Sequence, residues 1–176
     1  QLLYRLGEDP YRDRVMLAWA RCYEGWAMVE QGHGPDGITL LREGLATATA
    51  TGTRVFAPHT LSLLAKAQLR LGLVDDARTT TDEALEVSRQ TGEAFDLPEL
   101  HRLDGEIHIA DGDDVEACQL ARSAFEQAWR IANEQDAAQL ALRAAMSLFT
   151  LARRHGTTTE SARRLRDARA RVLEGP

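Results

Sequence analysis

Three side chains of this chain stand at a spacing that could hold a metal: His101, Asp104 and His108, at i, i+3 and i+7, share one face of a helix. Zinc accepts two imidazoles and a carboxylate and keeps a fourth position open when it serves catalysis. Yet His-x2-Asp-x3-His is no established metal signature, so a hydrogen-bonded structural role is the expectation. The paired carboxylates Asp75-Asp76 and Asp113-Asp114 fall at helix starts, where negative charge favours the helix dipole and general acid–base work is not implied. The threonine clusters Thr79-Thr80-Thr81 and Thr157-Thr158-Thr159 read as helix surface and capping. No Gly-x-Ser-x-Gly elbow, no Gly-x4-Gly-Lys-[Ser/Thr] loop and no Gly-x-Gly-x2-Gly turn occurs. No catalytic set emerges, and the reading expects no enzyme, no cofactor and no resident metal.

The elements that would position any site follow from a repeat. Gly25, Ala65, Gly105 and Ala145 stand forty residues apart, and Val29, Leu69, Ile109 and Phe149 follow one helical turn later. Thr51-Gly52 returns as Thr91-Gly92; Gly32, Gly72 and Gly112 keep the same interval. First helices are predicted over about 11–31, 56–71, 95–110 and 137–155, and second helices over about 36–51, 74–91, 115–135 and 159–173. Glycines after the first helices suit the left-handed position past a helix end. Asp36, Asp75, Asp114 and Thr158 supply N-terminal acceptors, and Pro58 and Pro98 fall in first turns. The second helices carry Gly37-x3-Leu41-x2-Gly44, Ala77-x3-Thr81-x2-Ala84 and Ala121-x3-Phe125-x2-Ala128, the small–large–small portion of a tetratricopeptide (TPR) unit. No strand pattern of useful length interrupts them. The expected fold is all-α: a right-handed α-α superhelix of about four TPR-like helix-turn-helix repeats, over roughly 11–52, 56–92, 95–135 and 137–173, forming one domain across 1–176.

Composition agrees with helix. Ala, Leu and Arg are abundant and aromatic residues sparse, which favours helix over strand. The 176 residues carry a net charge of −6, and basic residues concentrate only near Arg163, Arg166 and Arg169, read as a solvated helix face. A phosphate-tracking surface needs dense positive charge, so nucleic-acid binding is not expected. Cys22 and Cys118 stand far apart with no Cys-x2-Cys spacing, which suits free thiols in a reducing compartment. With no signal peptide and no apolar run of membrane-spanning length, a cytoplasmic location is expected. A chain beginning at Gln1 reads as a fragment of a longer protein.

Several stretches resemble a known family. They are Gly25-Trp26-Ala27-Met28-Val29-Glu30-Gln31-Gly32, Gly37-Ile38-x2-Leu41-Arg42-x-Gly44-Leu45, Ala50-Thr51-Gly52 and Leu61-x-Leu63-Leu64-Ala65-x-Ala67. Glu99-Leu100-His101-Arg102-Leu103-x-Gly105-Glu106 and Leu140-x-Leu142-Arg143-Ala144-Ala145-x-Ser147-Leu148 complete the set. Together they are similar to the C-terminal TPR-like region of large bacterial signalling regulators, in which an adenylate-cyclase or LuxR-type DNA-binding head precedes an ATPase module. The likeness covers nearly the whole chain but departs from the pattern over 157–176. It implies an interaction or sensor module and carries over no catalytic residue.

In such stacks first helices line the concave groove. Counting from the small residue places three columns there: Trp19, His59, Glu99 and Gln139; Cys22, Ser62, Arg102 and Leu142; Trp26, Lys66, Glu106 and Met146. Trp19, Trp26, His59, Lys66, Arg102 and Glu106 are the candidate partner-binding residues. Trp19 and Trp26, seven residues apart, are either an aromatic anchor for a partner helix or core. The expected function is a non-enzymatic scaffold that binds a protein, a peptide or other domains of its own polypeptide. One alternative is a small-molecule sensor with its ligand between first helices, near Trp26, Lys66 and Arg102. The other is an oligomerisation module, which leaves a homodimer open.

Overall fold

Proline and glycine punctuation sets the helices. The computed structural model describes residues 10–52, 56–112, 114–154, 156 and 158–174. Among these residues there is no strand, and eight helices follow in order: α1 Pro10–Glu30, α2 Gly34–Ala50, α3 Ala57–Arg70, α4 Val74–Thr91, α5 Leu97–Asp111, α6 Val115–Glu134, α7 Ala138–Arg154 and α8 Thr159–Glu174. Prolines occupy the first turns of α2, α3 and α5, where a missing N–H costs little. Asp114 caps α6, its carboxylate accepting the Ala117 N–H at 2.8 Å. Gly32 and Gly72 take the left-handed conformation, with φ of 91° and 74°.

Three boundaries differ from the sequence reading. Helix α2 starts at Gly34, two residues early, because Pro35 rather than Asp36 opens its first turn. Phe56 lies outside α3 in a left-handed conformation, φ 61°, its N–H held by the Glu93 carboxylate at 3.1 Å. Gly112 is extended, φ −168°, not left-handed, with the Asp114 cap of the next helix only two residues on. The turn residues Asp113, His155 and Thr157 lie outside the described residues.

The chain divides into two compact units, Gln1–Glu93 and Ala94–Pro176. In the first, α1 packs on α2, α2 on α3 and α3 on α4, and α1 also meets α3. The second follows the same scheme: α5 on α6, α6 on α7, α7 on α8, and α5 against α7. Close approach depends on absent side chains. A Cβ on Gly25 would stand 2.6 Å from the Gly37 carbonyl oxygen and 2.9 Å from the Leu41 nitrogen, and one on Gly105 would overlap the Phe125 ring. Ala65 and Ala145, the other two members of that frame, are fully buried.

The first unit's core joins Cys22, Val29, Ile38, Leu41, Leu63, Leu64 and Ala67. The second joins Cys118, Ala121, Phe125, Leu148 and Leu151, with Ile109 and Trp129 against them. Both cysteines are free and buried. Among the described residues no helix is long and apolar enough to cross a membrane.

Candidate functional site

Of the six predicted binding residues, Trp19, Trp26, His59 and Lys66 fall in the first unit and Arg102 and Glu106 in the second. On α1, Trp19 and Trp26 are both half-buried. The Trp19 ring meets Phe56 edge-on at 5.1 Å between centroids, while Trp26 packs against the first unit's core. Trp26 is therefore tied to the core, and part of its surface stays accessible. Tyr23, 54% exposed, sits 6.0 Å from the His59 ring. Lys66 is half-buried on α3. The middle column largely sinks into the helix contact: Cys22 and Ser62 are buried, Cys22 directing its thiol toward the Leu41 carbonyl at 3.8 Å.

Arg102 and Glu106 line a concavity of the second unit. It holds about 460 Å³ and is lined from α5 by Arg102, Glu106 and Ile109, from α6 by Phe125, and from α7 by Arg143, Met146, Ser147, Thr150, Leu151 and Arg154. That volume lies within the range of small-ligand and side-chain pockets. Its floor is apolar because Ile109, Phe125 and Leu151 are also the edge of the second unit's core. Helix α7 turns one face to it, since 143, 146, 147, 150 and 154 recur at helical spacing.

A chain of alternating charges fixes the wall. Glu99, only 2% exposed in the first turn of α5, accepts from Arg102 through Nε at 3.0 Å and Nη2 at 2.7 Å. Arg102 also donates to Glu106, one turn on. The Arg143 guanidinium of α7 reaches the same Glu99 oxygen at 2.8 Å. Glu106, Arg102, Glu99 and Arg143 thus run in sequence across α5 and α7. Burial alone would lower the Arg102 pKa, but the hydrogen bonds and charges of Glu99 and Glu106 outweigh it and push it further up. Arg143 keeps 48% of its side chain exposed, so its charge faces the cavity as well as Glu99.

Sequence reasoning reached Arg102, Glu106 and Met146 but not Arg143, Ser147, Thr150 or Arg154. Arg143 stands one position past the column residue Leu142, and its pairing with Glu99 crosses 44 residues. The only sequence signal for it was its place on the α7 face.

The histidines have other partners. His101 Nε2 lies 3.2 Å from the Gln127 amide nitrogen, and His108 lies 3.5 Å from Asp104. Among the described residues no three His, Cys, Asp or Glu side chains converge for a metal. At the basic end Arg163 and Arg164 bind Glu160 within α8, while Arg171 reaches Asp136 and Arg164 lies 4.7 Å over the Trp129 ring of α6. Compared with models of known protein families and with curated proteins, the chain matches none.

Proposed function

We propose that this chain is a non-catalytic binding module, a TPR-like stack that holds a protein or peptide against the faces of its first helices. The observation that carries the reading is the second unit's cavity, apolar at its floor and rimmed by guanidinium groups. An interface of this kind gains affinity from a buried apolar anchor and orientation from a few polar groups. The wall is built before a partner arrives, because the Glu99–Arg102 pair holds Arg143 in place. Within each unit one helix of the first pair meets its counterpart in the second, α1 on α3 and α5 on α7, which favours a TPR-like arrangement of the pairs.

On the family likeness of its motifs, the module belongs to a cytoplasmic bacterial signalling or transcriptional regulator. Partner binding would shift an output equilibrium elsewhere in the polypeptide, to the extent that the partner binds the two states unequally. A second reading, a small-molecule sensor, is favoured by the cavity volume of about 460 Å³.

The test is an affinity capture from bacterial lysate, with the wild-type chain against a Met146→Ala/Arg154→Gln variant. Both side chains are exposed, so the fold is retained, as circular dichroism verifies. Loss of one or more captured proteins by the variant supports the reading. Equal recovery of every partner by both forms overturns it.

A further inference from the structure

We infer that the outward face of α1 pairs with the same face of a second copy of this chain, the two helices running antiparallel. This face belongs to the first unit, and its pairing does not depend on the second unit's cavity. Helix α1 has two apolar faces. One is spent inside the unit: Val15, Ala18, Cys22 and Val29 are buried, and Gly25 meets the backbone of α2. The other carries Met16, Ala20, Tyr23 and Ala27 at i, i+4, i+7 and i+11, a single stripe along a helix. All four are exposed, Met16 by 48% and Tyr23 by 54%, with Leu17 beside them at 50%. The His59 ring lies 6.0 Å from the Tyr23 ring and leaves more than half of that side chain uncovered.

Size selects a second copy as the occupant. Along the stripe a large side chain alternates with a small one. An antiparallel pairing centred between positions 21 and 22 sets Met16 over Ala27 of the other copy and Ala20 over its Tyr23. Two-fold symmetry repeats both contacts, so every large side chain enters the space above a methyl group. A parallel pairing would instead set thioether against thioether and ring against ring. Charge agrees with the antiparallel register. Glu24 of each copy falls level with the gap between Leu17 and Arg21 of the other, which brings a carboxylate within reach of a guanidinium at the edge of the stripe.

The area suffices for a weak dimer. The exposed halves of Met16, Leu17 and Tyr23, with the two alanine methyls, come to about 500 Å² per copy and about 1,000 Å² in the pair, the lower bound of a specific interface. An obligate dimer buries at least about twice as much. Dissociation in the micromolar range is therefore expected.

Sedimentation velocity on the whole chain, from about 1 to about 200 µM, should show monomer converting to dimer. Ala20→Glu sets two carboxylates beside the two-fold axis and against the Tyr23 rings, and should weaken association at least roughly tenfold. Ala20 is exposed, so the fold is retained, as circular dichroism verifies. Tyr23→Ala removes the ring without adding charge and should weaken association in the same direction. Disulfide formation under mild oxidation reads the geometry, since Cys22 and Cys118 are buried. The Met16→Cys and Ala27→Cys variants should link when mixed and not when alone. In the antiparallel pair like positions stand about 16 Å apart along the axis, and a disulfide needs Cα atoms within about 7 Å. A chain that stays monomeric throughout overturns the pairing. A dimer that Ala20→Glu and Tyr23→Ala leave unchanged places the contact elsewhere and overturns it too. Linkage within Met16→Cys alone, or none in the mixture, overturns the antiparallel register.

Discussion

Replacing Arg102 by methionine keeps the aliphatic stem and removes the guanidinium, which isolates what the buried charge contributes. Glu99 is 2% exposed and would lose donors at 3.0 and 2.7 Å, keeping the Arg143 contact from a half-exposed side chain. Each hydrogen bond to a charged group is worth about 1.5–3 kcal/mol, and breaking a buried ion pair by removing one partner costs about 3–5 kcal/mol. The two routes agree on a loss of about 4 kcal/mol, a large share of the stability of an ordinary domain. With a urea m-value of about 2 kcal/mol/M, the midpoint moves down by roughly 2 M. Far-UV circular dichroism reads the transition, and hydrogen exchange at the buried amides of Leu103 and Ile107 reads it within the second unit. The double variant Glu99→Leu/Arg102→Met removes both charges and should recover most of the loss, since apolar replacement of a buried pair is often neutral. A single-variant loss under about 1 kcal/mol, the value of an exposed pair, would refute the buried-network reasoning.

Three glycines should respond differently to alanine. Gly25→Ala sets a Cβ against the backbone of α2, 2.6 Å from the Gly37 oxygen, so overpacking of about 1–3 kcal/mol outweighs the gain in helix propensity. Gly72→Ala strains a left-handed residue and lowers the melting temperature, whereas Gly112→Ala, in extended backbone with no neighbour nearer than 3.8 Å, stabilises by about 0.4–1 kcal/mol. Burial pushes the Cys22 thiol up to about 11, so alkylation at neutral pH should require denaturant; rapid labelling of the native chain, read by mass spectrometry, would show that α1 and α2 part readily. Burial chiefly, helped by Arg130 and opposed by Asp104, lowers the His101 pKa. The unfolded chain then takes up the proton more readily, so this contribution is complete above the ordinary histidine value of about 6.5 and is lost as pH falls toward the folded one. His101→Gln should flatten that part of the stability profile; an unchanged profile contradicts it.

The helices and their close approaches were legible because small residues mark where a side chain has no room. At Gly25, Gly37 and Gly105 a side chain has no room, and such a constraint shows as a small residue at a fixed interval. The buried trios Gly37, Leu41, Gly44 and Ala121, Phe125, Ala128 were legible for the same reason. Gly112 was not, because a glycine's identity says that a left-handed turn is permitted, not that it occurs. Which members of the predicted columns stay accessible was not legible, since period sets helix rotation and side-chain length decides the rest. Cys22 and Ser62 end inside the helix contact, while Arg102 at the same register extends to Glu99 and Glu106. The link from Glu99 to Arg143 joins residues outside any common column, and no local pattern announces it.

That link separates stability from binding. A buried ion pair contributes little net stability over a well-packed apolar pair, so its consequence here is positional: Glu99 holds the Arg143 guanidinium at the cavity wall. An acceptor group on a bound partner would then meet a donor already in place, and the ordering cost of about 0.5–1.5 kcal/mol for a long side chain has been met in folding. The Glu99→Leu/Arg102→Met variant should therefore be nearly as stable as wild type and yet recover less of the proteins captured from bacterial lysate, because Arg143 is no longer held. The double variant removes one negative and one positive charge, so the net charge of the site is unchanged and long-range attraction alone predicts unchanged binding. Placement and net charge thus predict different outcomes, so the measurement discriminates. Unchanged recovery of the captured proteins by a folded double variant would show that the placement of Arg143 does not govern the site, and the positioning role of Glu99 would fall.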